Sequence, residues 1–324
     1  MNKIPVLSGQ VRLSEREVQE LATAVHRPGL REIVEGFHAN IAGPAALLTF
    51  PFMLLMWGSA ERVRFTAFFA ALLSTGFYSN YKSLSAEQHA QLDAVVKRYA
   101  TRLDELVDLP AQEYREFDSV IDRMYADTMG RTAIQTLLQA AHVRAWSSLE
   151  SLAEDLWEYS LNTGIDSLGA AAAERVLSDQ EVQKNRIDGF TGQAVQVHVL
   201  ARYGWNVSGR VGTLLRGKYD FTSVSGINRA FGVIFRDRPP VPRLVNTDEL
   251  RQAELLRHVI VHRAGIVDEE YRKATETPCP LGQRVELTSA QIAASTKLII
   301  SEGCSLIRSV ETALAEPRAQ EPRS

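Results

Sequence analysis

Three side chains suited to phosphate binding and proton transfer lie within one apolar stretch, "LLRHVIVHRAGIVDEE", at residues 255–270. They are Arg257, His258 and His262. An unpaired ionisable group costs several kcal/mol when it is removed from water. These three groups therefore either face solvent, pair with partners, or are gathered at a site that uses them.

The spacing of the three side chains limits how they can meet. A helix is predicted from Thr247, which can cap it, to a point near Gly265. Arg257 and His262 are then separated by about 140° around the helix axis, whereas His258 and His262, four residues apart, share a face. Arg257 and His262 can converge on one phosphate if the guanidinium folds along the helix, or if a second copy of the helix supplies its own pair.

Two readings without nuclease chemistry remain open for this helix. In the first, Arg257 forms an ion pair with Glu150 or Glu254, and the histidines are polar groups with hydrogen-bond partners and no chemical role. In the second, His258 and His262 ligate zinc with Asp268 or Glu269 as a third ligand, because histidines at i and i+4 suit that metal. No glutamate follows the first histidine as it does in the metalloprotease motif, so no cofactor or metal is expected.

Composition indicates an ordinary globular protein. The chain has 324 residues, 45% hydrophobic and 23% charged, with a formal net charge of −3. That charge argues against a protein that coats nucleic acid over its whole surface, but it leaves room for a local basic patch. Two cysteines without a CxxC spacing and a start without an apolar signal segment favour a cytoplasmic location.

The sequence pattern is helical almost throughout and predicts an all-α fold. Capping pairs occur at Ser14/Glu17, Ser85/Gln88 and Thr288/Gln291. Residues 131–162 carry one apolar stripe of a long helix, made of Ile134, Leu138, Ala141, Ala145, Leu149, Leu152, Leu156 and Tyr159. We expect an N-terminal helical region at 1–110, a helical domain at 111–315 with an insertion at 164–245, and a polar tail at 316–324.

Residues 41–81 contain two uncharged runs separated by "ERVR". The first has twenty residues, enough to cross a bilayer, and the second is near the lower length limit. Trp57, Tyr78 and Tyr81 would lie near the interfaces. One prediction is a membrane hairpin that holds the protein at the cytoplasmic face of the inner membrane. The alternative is a helical hairpin buried inside a soluble bundle.

A basic segment precedes the Arg/His helix. Residues 201–243 contain only two acidic residues, and aromatic side chains alternate with the cations. Cations neutralise phosphates and rings stack on bases, so the segment is a candidate for binding single-stranded RNA; the alternative is a solvated face with core aromatics. The candidate RNA-binding residues are Arg202, Arg210, Arg216, Lys218, Arg229, Arg236, Arg238 and Arg243.

The motif "RHVIVH" with its flank "RAGIVDEEY" resembles the R-x4-H signature of the HEPN superfamily. The helix "VRAWSSLESLAEDLWEYSLN" is similar to the HEPN helix that carries an aromatic residue and a glutamate, here Trp146 and Glu150. The resemblance covers about residues 115–315, and the insertion departs from the minimal domain. It implies an up-and-down helical bundle that forms a homodimer, with two R-x4-H motifs in one cleft.

That resemblance also implies a function, which is metal-independent RNA cleavage in toxins or antiphage effectors. His262 would be the general acid or base and Arg257 would stabilise phosphate charge. His258 would orient the phosphate or carry a second proton, and Glu150 would hold Arg257. The products would be a 2′,3′-cyclic phosphate and a 5′-hydroxyl, and an antitoxin or other regulator is an expected partner. Two alternatives remain: a module that binds RNA or a nucleotide without turnover, and a membrane-anchored effector whose toxicity lies in residues 41–81.

Overall fold

A computed structural model describes most of the chain. The described residues are 8–75, 84–106, 123–163, 168, 170–179, 190–191, 194–195, 197–202, 204–207, 209–238, 240–245, 247–275 and 277–315. They are mainly helical, as the sequence predicts. The only strands among them form a two-residue antiparallel ladder that pairs Phe190 with Val195 and Thr191 with Ala194.

Eleven α-helices are named here in chain order. They are α1 (Ser8–Ala24), α2 (Pro28–Thr75), α3 (Ala86–Leu106), α4 (Thr128–Thr163), α5 (Ala170–Ser178), α6 (Val197–Arg202), α7 (Val211–Leu215), α8 (Val224–Ile234), α9 (Asp248–Arg263), α10 (Glu269–Thr275) and α11 (Ser289–Ala315). The strands β1 (Phe190–Thr191) and β2 (Ala194–Val195) lie between α5 and α6, and a 3-10 turn at Arg216–Lys218 follows α7.

The chain divides into two compact units. Leu47–Thr136 form the smaller unit, and the described residues within Val6–Ala46 and Leu137–Ser324 form the larger unit. This division differs from the boundary expected at residue 110, because α1 and the start of α2 supply buried core residues to the same cluster as α4 and α11. The larger unit contains all of the candidate site residues.

Residues 41–75 do not form the predicted hairpin. α2 continues without a break from Pro28 to Thr75, so the expected turn at "ERVR" is wrong. Residues 61–75 contain no glycine or proline, and Glu and Arg are good helix formers, so nothing at this point ends the helix. Tyr78, Tyr81 and the side chain of Trp57 lie outside the described residues. Within the part of the chain that the structure describes, no helix is both long enough and apolar enough to cross a membrane.

The smaller unit has a modest core between α2 and α3. Ala71, Leu72 and Leu92 are buried there, and five half-buried hydrophobic side chains pack against them. α3 begins at the predicted capping pair: the Ser85 backbone N–H donates to Gln88 Oε1 at 2.9 Å, and the Gln88 N–H donates to Ser85 Oγ at 3.3 Å. This reciprocal pair satisfies two of the backbone donors that a helix start leaves open.

The core of the larger unit is built around two tryptophans of α4. Trp146 and Trp157 are fully buried. Their indole N–H groups donate to the carbonyls of Thr222 at 3.2 Å and Ala230 at 3.1 Å. The predicted stripe of α4 is buried apart from a half-buried Tyr159, and its members from Ala145 onward belong to this core. α4 therefore acts as the central support on which the candidate site is assembled.

The first and last described helices of the larger unit, α1 and α11, pack against each other. The His26 backbone N–H donates to Glu311 Oε1 at 2.9 Å, across 285 positions of sequence. Arg27 donates to the Leu314 carbonyl at 2.9 Å, and the buried Arg238 donates to the Ala313 carbonyl at 3.1 Å. Two guanidinium groups thus occupy the C-terminal end of α11, where the helix dipole favours positive charge.

Candidate functional site

Helix α9, which carries the R-x4-H motif, is fixed at both ends. Thr247 caps its start by accepting a hydrogen bond from the Leu250 N–H at 3.2 Å, as predicted. At its end, Ala264 and Gly265 both adopt left-handed backbone conformations, with φ of 53° and 78°. The Val285 N–H donates to the Gly265 carbonyl at 2.9 Å, which ties the helix end to the loop before α11. The last turn of α9 is therefore held in one position.

Arg257 contacts Glu150 across the interface between α9 and α4. The distance from Arg257 Nη2 to Glu150 Oε1 is 3.1 Å, and each side chain is only 16% exposed. Although the two atoms are close, the geometry is not that of a hydrogen bond, and Glu150 Oε1 and Arg257 Nε have no hydrogen-bond partner among the described residues. We regard the contact as an ion pair by distance, with hydrogen-bonding capacity left over on both groups.

Carboxyl groups around Arg257 are protonated more easily than usual. Burial raises the pKa of Glu150, and the Arg257 charge partly opposes that rise. Burial also raises the pKa of Glu254, which accepts a 3.4 Å hydrogen bond from the Val224 N–H and lies within the field of Arg257. Arg257 thus faces the interior of the larger unit, near Glu150 and Glu254, the two carboxylates that the sequence analysis gives as possible ion-pair partners.

His258 and His262 lie together on the solvent side of α9. Both are exposed, and their ring centroids are 4.7 Å apart with planes inclined by 46°. The expectation that histidines four residues apart share a face is confirmed. The structure gives no contact between either imidazole and Arg257 in one chain. It thus brings Arg257 to Glu150 and His258 to His262, but it does not join the two pairs.

The zinc reading lacks a third ligand. Asp268 accepts a 2.9 Å hydrogen bond from the Tyr271 N–H at the start of α10, and its other oxygen lies 3.9 Å from Arg263 Nε. No group of three or more His, Cys, Asp or Glu residues with metal-binding geometry occurs in the described ranges. Asp268 therefore serves the start of α10, and the two histidines remain a pair.

At least half of the candidate RNA-binding cations have partners or buried positions within the fold. Arg216 contacts Glu154, Asp155 and Glu158 on α4 at 2.6, 3.2 and 2.9 Å. Arg229 pairs with Asp179. Lys218 is buried, which lowers its pKa, and Arg238 is buried against α11. The exposed members of the set are Arg202, Arg210, Arg236 and Arg243.

The aromatic residues of the same segment divide in a similar way. Tyr219, Phe221, Phe231 and Phe235 are buried in the core, where Tyr219 and Phe221 meet Trp157 edge-to-face. Trp205 is 66% exposed. Tyr203 lies outside the described residues. The segment is thus mostly core, with a smaller set of outward-facing cations and one outward-facing ring.

His142 is a buried histidine that inspection of the sequence did not single out. Its Nε2 lies 2.9 Å from the Ala253 carbonyl of α9 and its Nδ1 lies 3.2 Å from Ser295 Oγ of α11. Nε2 therefore carries the proton and donates it to the Ala253 carbonyl, while Nδ1 accepts a hydrogen bond from the Ser295 hydroxyl, so the neutral ring links α4, α9 and α11. The only available signal was its place in the apolar stripe, between Ala141 and Ala145, where a polar side chain needs two partners.

Acid should destabilise the larger unit through His142. Burial lowers the pKa of His142 from 6.5 to about 4, so the unfolded chain takes up a proton first as the pH falls. This contribution to stability is complete above pH 6.5 and is lost progressively as the pH drops toward 4. At pH 5 we expect a loss of about 2 kcal/mol in the free energy of unfolding.

The matched variant is His142→Gln, which keeps an amide donor for the Ala253 carbonyl but does not titrate. Urea unfolding at pH 7 and pH 5 measures the effect in both proteins. All other ionisable groups are the same in the two proteins, so the difference isolates His142. An identical change between the two pH values in both proteins would show that His142 is not the titrating group.

Comparisons with known proteins give no relative for this chain. No family model matches it, no curated protein matches it, and no solved structure matches it. The function is therefore argued from the geometry and from the resemblance of the motif.

Proposed function

We propose that this chain is a metal-independent endoribonuclease of the HEPN type, with His258, His262 and Arg257 as its catalytic residues. The observation that carries the proposal is the pair of exposed imidazoles, 4.7 Å apart on the last two turns of a helix that is fixed at both ends. Cleavage of RNA by its own 2′-hydroxyl needs one group that accepts a proton and another that donates one. Two adjacent imidazoles supply both.

In the proposed reaction His258 accepts the proton of the 2′-hydroxyl while the 2′-oxygen attacks phosphorus. The bond from phosphorus to the 5′-oxygen breaks, and His262 donates a proton to that oxygen. The products are a 2′,3′-cyclic phosphate and a 5′-hydroxyl. The carbonyls at the end of α9 favour positive charge on a nearby ring, which suits His262 to the donor role.

Arg257 would stabilise the negative charge that builds up on the phosphate, and Glu150 would hold it in place. The buried Nε–H of its guanidinium has no partner among the described residues, so turning the side chain toward a phosphate would break no hydrogen bond at Nε. Because Arg257 and His262 face different directions on one helix, a single copy does not surround a phosphate. We therefore propose a homodimer that places two copies of α9 in one cleft, as in a HEPN-like bundle.

A role as a toxin or antiphage effector in the cytoplasm, restrained by an antitoxin or regulator, follows from the same proposal. Association with a membrane through residues 41–81 remains part of it as a separate hypothesis. Neither the biological role nor the membrane association changes the reaction proposed at α9. Each can be tested once RNA cleavage has been measured.

The direct test is cleavage of single-stranded RNA in the presence of EDTA. We expect the rate to be unchanged by the chelator and the 5′ fragments to end in a cyclic phosphate, because no step of the reaction uses a metal. Mass spectrometry of the fragments identifies the ends. Cleavage that disappears in EDTA and returns with zinc or magnesium would contradict the proposal.

A second candidate function is binding of RNA or a nucleotide without turnover. It is favoured because Arg257, held by Glu150 at 3.1 Å and only 16% exposed, is less available for catalysis, whereas Arg202, Arg236 and Arg243 are exposed. A binding module would show affinity for RNA but no fragments at any pH. The same EDTA experiment, with an affinity measurement alongside, separates the two functions.

A further inference from the structure

Trp205 is an exposed aromatic ring that the proposed catalysis does not use. Its exposure is 66%, whereas Trp146 and Trp157 are fully buried with their indole N–H groups bonded. The Trp205 side chain has no hydrogen bond and no ring contact with any residue that the structure describes. A tryptophan exposed to this extent leaves a large apolar surface in water, which is unusual for the residue type.

The backbone holds Trp205 outward at a cost in conformational energy. After α6, the Gly204 N–H donates to the Ala201 carbonyl at 3.1 Å and the Trp205 N–H donates to the Leu200 carbonyl at 3.0 Å. These two bonds form a Schellman motif, with Gly204 in the expected left-handed conformation at φ 60°. Trp205 is also left-handed, at φ 63°, which costs a side-chain-bearing residue about 1–2 kcal/mol.

Helix α7, which follows the loop that carries Trp205, is attached to the end of α4. Asn162 Oδ1 accepts hydrogen bonds from the backbone N–H groups of Gly212 at 2.7 Å and Thr213 at 3.4 Å. Asn162 Nδ2 donates to Thr213 Oγ1 at 3.1 Å. The Schellman bonds therefore fix the backbone at Trp205, and α7 is anchored to α4, which reduces the entropy lost when a ligand stacks on the ring.

Charge around the ring points to an anionic ligand. Residues 202–210 contain Arg202 and Arg210, both exposed, and no acidic residue. The remainder of the loop is glycine, asparagine, serine, one half-buried valine and Tyr203, and of these Tyr203 and Ser208 lie outside the described residues. Among the described residues the apolar surface is therefore a single ring, too small for the centre of a protein interface or for insertion into a bilayer. An exposed ring three residues from an exposed arginine, Arg202, matches a nucleobase with its phosphate.

We infer that Trp205 is a stacking platform for an unpaired base of single-stranded RNA, with Arg202 contacting the adjacent phosphate. The inference rests on the proposed function only for the identity of the strand. The platform is separate from the end of α9, because the two lie near opposite ends of α4. Gly265, just after α9, approaches Gln139, whereas Gly209, in the Trp205 loop, approaches Asn162. These two α4 residues are 23 positions apart, which is about 35 Å along the helix. Substitutions at Trp205 therefore leave the histidine pair untouched.

Binding of a strand that cannot be cleaved provides the test. A fluorescein-labelled twelve-residue oligouridine with 2′-O-methyl groups lacks the nucleophile, so its Kd reports binding alone. We expect Trp205→Ala to weaken binding by about 5- to 100-fold and Trp205→Phe to weaken it less, because base stacking on an aromatic ring has that strength. Arg202→Ala should lower the slope of log Kd against log salt by about one.

Met129→Ala is the matched control, because Met129 is an 80% exposed apolar side chain in the smaller unit and should not affect binding. Equal affinity of the wild-type protein and Trp205→Ala for the oligouridine would overturn the inference. Binding to anionic vesicles that depends on Trp205, with binding to the oligouridine that does not, would overturn it as well. Loss of affinity in Trp205→Ala, in a protein that cleaves no RNA, would support the platform and contradict the nuclease. The two proposals therefore fail separately.

Discussion

Replacing His262 with alanine is expected to reduce the rate of RNA cleavage by about 100- to 10,000-fold, the usual contribution of a positioned general acid or base. His262 is exposed on the last turn of α9, so its removal leaves no cavity and should not alter the fold. The affinity for RNA should remain within about twofold. Single-turnover cleavage and a binding measurement on the 2′-O-methyl strand give the two quantities.

His26→Ala is the control for this experiment, because His26 is also exposed in the larger unit but lies before α2, away from α9 in sequence. It should cleave like the wild-type protein. His258→Ala should lose activity to a similar degree, and the double variant should be no worse than either alone, since two groups that act as a unit are not additive. Full activity of His262→Ala would refute the assigned mechanism.

Replacing Arg257 with alanine is expected to lower the free energy of unfolding by about 3 kcal/mol, because it leaves the Glu150 carboxylate without its cation in a largely buried position. Both side chains are 16% exposed, so the effect should lie near the lower end of the range for buried pairs. Glu150→Ala should have a similar effect for the converse reason. Urea unfolding of the two variants measures both values.

The double variant Glu150→Leu/Arg257→Met tests whether the loss comes from an unpaired charge. It removes both charges and keeps apolar volume, so it should be more stable than either single alanine variant. Arg257→Lys separates catalysis from stability, because lysine keeps the charge but not the planar fork of donors. A stable Arg257→Ala protein, within 1 kcal/mol of wild type, would show that the ion pair contributes little to folding.

Local features of the fold could be predicted from the sequence because their causes lie within a few residues. The capping pairs at Ser85 and Thr288 form as expected, and the Thr288 N–H donates to Gln291 Oε1 at 2.8 Å. The stripe on α4 and the start of α9 at Thr247 are also confirmed. The pair at Ser14 and Glu17 is an exception: α1 already begins at Ser8, so Ser14 lies inside the helix.

Features that depend on distant partners could not be predicted in the same way. The carboxylates that neutralise Arg216 precede it by 58 to 62 residues, so local charge counting treated Arg216 as available for RNA. The error in residues 41–75 has a different origin. The charged residues at 61–64 separate two uncharged runs and so suggest a turn, but their helix propensity allows α2 to continue through them. At the candidate site, the sequence suggests an ion pair between Arg257 and Glu150 as one possibility. It does not show whether the Arg257 side chain faces solvent or the interior.

The contact between α1 and α11 affects how the larger unit is made in the cell. Val18 and Leu21 of α1 are buried in the finished core, yet the helix that packs against α1 begins at Ser289. During translation α1 leaves the ribosome before α11, because 264 residues separate Ala24 from Ser289. The contact between the two helices therefore forms only after α11 has been made, and until then the apolar face of α1 is a natural contact for chaperones.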